Sequence, residues 1–145
     1  IVFRYPENRD VFFIKRLIGL PGDVIRTKGM SLTVNGNIYS LDPYGGTGDF
    51  EEFNLQKKYI VRFDQESNFD QTEEREYIVP ENSFFVMGDN RFNSHDSRFW
   101  GFVSQDLLVG KAQFIWLSCE ETLVSMPFIC NPATLRSERL FLGIY

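Results

Sequence analysis

The chain has 145 residues, with 15 Lys and Arg against 20 Asp and Glu, for a formal net charge of -5. That length suits one domain with a real core; the acidic balance, with no cation run longer than a pair, argues against a nucleic-acid or anionic-lipid partner. A single histidine excludes a multi-histidine metal site, no Cys/His cluster has zinc spacing, and no apolar run approaches the roughly 18 residues needed to span a bilayer.

The predicted elements are short strands. "IVFRY" alternates and stops at Pro6; opening in mid-strand without Met, it reads as part of a longer protein whose membrane segment, if it has one, lies upstream. "DVFFIKRLIGL" reads as one long strand, and "LPGD" places Pro21 and Gly22 where a type II turn wants them. "NGN" around Gly36 predicts a tight hairpin. From about residue 41 to 76 the texture turns polar, acidic and Gly-rich around one strand-like piece, "KYIVRF", which predicts an inserted surface subdomain between core parts 1–40 and 77–145. "YIV" and "SFFVMG" are further strands separated by a turn at Pro80–Asn82. A strand is expected over Lys111–Leu117, and "LRSERLFLGIY" reads as a final strand or a short helix. Cys119 and Cys130 flank "EETLVSMPFI" and leave a bond and two free thiols equally open. Sustained helical periodicity is nearly absent, so the class is mostly β, built of several short antiparallel strands.

Two stretches carry chemistry. In "FFIKRLIGLPGD", two cations sit inside an apolar run. Strand alternation puts Lys15 on the face of Phe13 and Leu17, and Arg16 on the other. Read alone, such a lysine is a solvated edge residue. Held among apolar neighbours instead, it loses part of its hydration, and its pKa falls from about 10.4. A lysine pulled down to roughly 7–8 is a general base near neutrality. Arginine stays charged, so Arg16 needs an anion rather than a proton.

The second stretch is "MGDNRFNSHDSRFWGF", where Asp89, Arg91, Asp96 and Arg98 alternate with Asn and Ser. Read alone, it is a solvated loop with ion pairs worth about 0–1 kcal/mol each. An extended "DSR" puts Asp96 and Arg98 on one side, where they can pair, and Asp89 or Asp96 can supply the anion for Arg16. "SHD" spells a catalytic triad, but in an extended chain His95 faces away from Ser94 and Asp96. Ser94 fits better as a hydroxyl that orients another group.

Together, "YP…FIKRLIGLPGD" and the later "MGDNRFNSHDSRFWGFV" resemble the bacterial type I signal peptidases, which remove signal peptides from exported preproteins. The resemblance covers roughly residues 1–23 and 84–117. It implies a Ser/Lys-dyad serine endopeptidase on a mostly β fold, without metal or cofactor. Lys15 would be the general base, Ser94 the hydroxyl that orients it, and Arg16, Asp89, Asp96 and Arg98 the supporting network. Signal peptides of secreted preproteins would be the partners, together with the bacterial inner membrane, and the catalytic domain would lie on its periplasmic or extracytoplasmic side. Exposed aromatics among Phe12, Phe99, Trp100 and Phe102 could rest at the membrane interface, although core packing suits at least half of them.

Two positions depart from the family pattern: Phe92 stands where many members carry Asp, and His95 where a small residue is common. Changed local packing is the expectation. The family nucleophile, a serine followed by Met, comes before the lysine. Ser125–Met126 spells that pair on the wrong side, so the chain is expected to carry the base without the attacking serine, as a truncated or inactive catalytic-domain fragment. The alternatives are a self-cleaving repressor-type Ser/Lys protease and a non-catalytic peptide-binding β module with an ordinarily titrating Lys15.

Overall fold

The computed structural model describes residues 1–64, 72–115, 121–123, 126–130, 132–136 and 142–143. The chain divides into two compact units, Ile1–Lys111 and Ala112–Tyr145.

In the first unit, β1 (Val2–Tyr5) and β2 (Asn8–Ile14) form a hairpin across the Pro6 turn. The long strand expected over "DVFFIKRLIGL" is broken at Lys15, and β3 (Arg16–Gly19) begins after it. The cause is a change of partner. β2 pairs with β1, whereas β3 pairs with a strand from much later in the chain. Local alternation cannot register such an exchange. Lys15 sits at the seam, its backbone N–H donating to the Ile1 carbonyl at 3.1 Å.

The turn after β3 has Gly22 at φ 87° and an Asp23 N–H to Leu20 carbonyl bond of 3.0 Å, the geometry of the predicted type II turn. Then come β4 (Val24–Lys28), β5 (Ser31–Val34) and β6 (Asn37–Ile38). Asn35 and Gly36 both take positive φ between β5 and β6, as a two-residue hairpin requires.

The polar segment holds a meander of its own: β7 (Ser40–Pro43), β8 (Asp49–Phe53) and β9 (Lys58–Arg62). The strand expected at "KYIVRF" is β9, while β8 lies in residues whose acidity masked their alternation. β10 (Arg75–Ile78) joins the sheet ordered β10-β4-β5-β6. β11 (Ser83–Met87) follows the Pro80–Asn82 turn and lies between β3 and β12 (Val103–Ser104). A single helical turn, α1 (Ser97–Trp100), precedes β12, and β13 (Leu108–Gly110) returns to pair with β1.

β11 is apolar on both faces and joins two core clusters. Phe85 and Met87 pack with Ile18, Ile25, Leu32, Val34 and Val79, while Val86 packs on the opposite side with Phe3, Val103 and Leu107. Each such side chain, fully buried, contributes about 1.5–3 kcal/mol, so β11 is a rigid strand from which to hang a site. A third cluster, Val61, Phe63 and Phe92, lies beside β9. Phe92 is buried there with its ring edge-on to Phe63 at 5.0 Å.

In the second unit, β14 (Phe114–Ile115) pairs with β17 (Leu142–Gly143), and β15 (Thr122–Leu123) with β16 (Met126–Cys130). The strand expected over Lys111–Leu117 thus begins only at Phe114; residues 116–117, Cys119 and Ser125 lie outside the described residues. The fold is mostly β, with its strands paired antiparallel, as the sequence predicts.

Candidate active site

The site gathers at the end of β11, where Gly88 follows Met87. Lys15 reaches it from the seam between β2 and β3, and Ser94 from the loop after β11. Lys15 Nζ donates to Ser94 Oγ at 2.7 Å. The Phe13 ring lies 5.6 Å from the same nitrogen, so one predicted apolar neighbour walls it. Partial burial lowers the Lys15 pKa from its ordinary value; Asp96 opposes this, Arg98 reinforces it, and Asp89 opposes it more weakly.

Arg16 points elsewhere, as alternation predicts. Its Nε and Nη2 make paired bonds to the Asp89 carboxylate at 2.7 and 2.9 Å. Its guanidinium also lies over the Tyr59 ring, with Cζ 3.7 Å from the centroid. Of the two anions the sequence offers to Arg16, Asp89 takes the place.

Asp96 and Arg98 pair, but not along the extended "DSR" expected. Asp96 is the N-cap of α1, and Arg98 lies within that helical turn and folds back on it. The Asp96 carboxylate accepts from Arg98 Nε and Nη2, both at 2.8 Å, and from the Gly88 N–H at 2.9 Å. Both side chains are buried, at 0 and 2 % exposure, so this is no solvated surface pair. Ser97 Oγ accepts from the Val86 N–H at 2.9 Å and binds the helical turn to β11. Asp96 and Ser97 therefore clamp the loop to the end of β11, at Gly88 and at Val86. His95 turns away to the aromatic rings of Tyr5 and Phe99, 6.2 and 5.5 Å off, and the described residues hold no Ser-His-Asp triad.

Sequence reasoning missed Glu52 and Tyr59. Glu52 is fully buried on β8 and accepts paired bonds from Arg91 Nη1 and Nη2 at 2.6 and 2.5 Å. Tyr59 on β9 donates its hydroxyl to Glu52 Oε2 at 2.6 Å. One signal was available: alternation puts Glu52 on the face of Phe50, and an acid on an apolar face needs a partner. Of the four aromatics considered for a membrane interface, Phe12 and Phe99 are exposed, while Trp100 and Phe102 pack against the core clusters.

The arrangement can do proton chemistry: an amine of lowered basicity, hydrogen-bonded to a hydroxyl and flanked by three ion pairs. The family model described as "Signal peptidase, peptidase S26" matches residues 1–117. A signal peptidase I of Pseudomonas aeruginosa is 34% identical over 143 residues, covering 86% of this chain and 50% of the relative. One of Aquifex aeolicus is 31% identical over 173 residues, covering 92% and 67%. A crystal structure of a signal peptidase I from Enterococcus faecalis aligns with 32% identity over 76% of this chain and 89% of that one, with a TM-score of 0.47. The chain spans about half the length of several of the curated relatives it matches. A family match over residues 1–117 takes in every residue of the site, and on it the chain belongs to the signal peptidase family, peptidase S26.

Proposed function

We propose that this chain supplies the general base of a signal peptidase, a serine endopeptidase that cuts signal peptides from exported preproteins. The observation that carries the reading is Lys15: an amine held below its ordinary pKa by burial, with its nitrogen 2.7 Å from Ser94 Oγ. Neutral Lys15 takes the proton of a serine hydroxyl supplied from outside these 145 residues as that oxygen attacks the scissile carbonyl. The protonated lysine returns the proton to the leaving amine, and an acyl-enzyme remains. The freed amine then deprotonates a water molecule, which hydrolyses the ester. Ser94 aims the lysine; Asp89, Arg16, Asp96 and Arg98 hold the two segments that carry the pair. A non-catalytic peptide-binding module would have no use for a lysine of lowered basicity.

Among the described residues no helix is long and apolar enough to cross a membrane. Attachment to the inner membrane, with this domain on its outer side, is part of the proposal and follows the family. The test is cleavage of a purified preprotein by the full-length protein in detergent or vesicles. A mature product with the expected new N-terminus supports the assignment, and an uncut preprotein overturns it.

Two variants probe the aim of the lysine in the same assay. Ser94→Ala lowers kcat about 10- to 100-fold with little change in KM, since it removes the orienting hydroxyl and leaves the base in place. An unchanged kcat removes Ser94 from its role. Gly88→Ala acts by steric force. A Cβ there would stand 2.1 Å from Ser94 Oγ, 2.6 Å from Ser94 Cβ and 3.4 Å from Lys15 Nζ. Ser94 must swing off the lysine, so kcat falls about 100-fold. Wild-type turnover by Gly88→Ala would show that the Lys15–Ser94 bond has no part in the rate.

A further inference from the structure

The two partners of the Lys15–Ser94 bond belong to different segments, and both segments lead back to one carboxylate. On the lysine side, Arg16 adjoins Lys15 and lies over the Tyr59 ring, and the Tyr59 hydroxyl donates to Glu52. On the serine side, Arg91 is held by Glu52, and the Arg91 carbonyl accepts from Arg98 Nη2. Arg98 in turn fixes Asp96, which caps the helical turn beginning three residues after Ser94. The backbone adds a further tie: Arg62 N–H donates to the Asp89 carbonyl at 2.8 Å, and Arg91 N–H to the Arg62 carbonyl at 2.7 Å.

We propose that Glu52 and Tyr59 are positioning residues for the Lys15–Ser94 pair, so that the β7–β9 meander sets the aim of the base. The inference rests on the function proposed above, because it concerns the aim of that same lysine. Glu52 touches neither member of the pair. Its carboxylate is occupied by three donors and is buried, so it neither receives a catalytic proton nor meets substrate. Burial and the neighbouring Glu52 push the Tyr59 phenol well above its usual range, so it remains a donor throughout any working pH. A buried ion pair is a poor source of net stability, and its best-attested use is to fix one arrangement among several. Here the arrangement fixed joins β8 and β9 to both halves of the site.

The experiment uses the full-length enzyme with Tyr59→Leu, Tyr59→Phe and Glu52→Gln, measuring kcat, KM, the acid limb of the pH profile of kcat/KM, and the thermal midpoint. Tyr59→Leu removes the platform beneath Arg16. Asp96, Arg98 and Asp89, the charged groups that act on Lys15, are all retained. A moved acid limb therefore reports a moved lysine rather than an altered charge. Water reaching a loosened Lys15 restores its basicity, so the limb shifts to higher pH, by about half a unit or more. Over the same variant kcat at neutrality falls about tenfold and KM stays within about twofold. Tyr59→Phe keeps the stacking and shows a smaller change in the same direction; Glu52→Gln shows the larger one. Should Glu52→Gln fail to fold, the two Tyr59 variants carry the test. A lowered thermal midpoint with wild-type kcat and acid limb on the folded protein makes these residues merely structural and overturns the inference. Lys15→Ala in parallel separates the two readings: if it cleaves normally, the proposed function falls and this inference with it. If it is dead while Tyr59→Leu matches wild type, this inference falls alone.

Discussion

On the proposed function, a full-length enzyme carrying Lys15→Ala loses signal-peptide cleavage by at least about 1,000-fold in kcat and keeps its fold. Proton transfer by a placed base is worth about 10²–10⁴ in rate, and in the proposed mechanism the same amine serves both half-reactions. Lys15→Arg sharpens the test. A guanidinium stays protonated at every accessible pH, so it retains the cation and cannot accept a proton. Both variants are dead if Lys15 is a base; Lys15→Arg works if only positive charge is needed. The fold survives because the lysine is itself a burden near neutrality. Its folded pKa is depressed below the unfolded value of 10.5. Between those two values the unfolded chain binds more protons than the folded one, so the Lys15 contribution to stability improves as pH rises through that window. Below the depressed value the full penalty for holding a partly desolvated ammonium remains. Lys15→Ala removes that pH dependence, and thermal unfolding at neutral pH finds it no less stable than wild type on this account. Activity runs in the same sense: it climbs with pH as Lys15 loses its proton, on a limb lying below that of an ordinary lysine. Near-wild-type turnover by Lys15→Ala would remove the base from the mechanism.

What the sequence reveals divides along the line between local and non-local causes. The opposite facing of Lys15 and Arg16 follows from strand alternation, and it survives the break because only the hydrogen-bonding partner changes there, from β1 to β11. The turns at Gly22 and Gly36 follow from backbone conformations that glycine adopts freely. The Asp96–Arg98 pair was visible as a pair and wrong as a shape. An Asp followed by "SRFW" also opens a helical turn, and a capping bond decides that outcome only once Gly88 is near enough to share the carboxylate. Glu52 was hidden for a different reason. Among "GDFEEF" it looks like one more surface acid, and the cation that gives it meaning lies 39 positions away. β13 escaped notice likewise: its partner is β1, at the other end of the unit.

Asp96→Ala costs about 3–5 kcal/mol in unfolding free energy, the usual penalty for removing one partner of a buried ion pair. The carboxylate is wholly buried and serves the Arg98 guanidinium twice, the Gly88 N–H and, at 3.3 Å, the Arg98 N–H. Alanine strips the desolvated guanidinium of its anion, leaves the Gly88 N–H without its acceptor and uncaps the helical turn; the cap alone is worth about 1 kcal/mol. Asp96→Asn retains the shape and one acceptor oxygen but loses the charge, so most of the deficit persists. Replacing both partners by apolar residues, Asp96→Leu with Arg98→Met, recovers much of it, because no charge is then left buried alone. Urea unfolding of the four proteins at pH 7 supplies the numbers. A loss below about 1 kcal/mol for Asp96→Ala would make this pair equivalent to a solvated one and remove the clamp on Gly88 and Ser94 from the account. The single variant and the apolar double variant should both be poor enzymes even where the latter folds well: stability needs only that no charge is stranded, whereas the aim of Ser94 needs the carboxylate that Gly88 and Arg98 share.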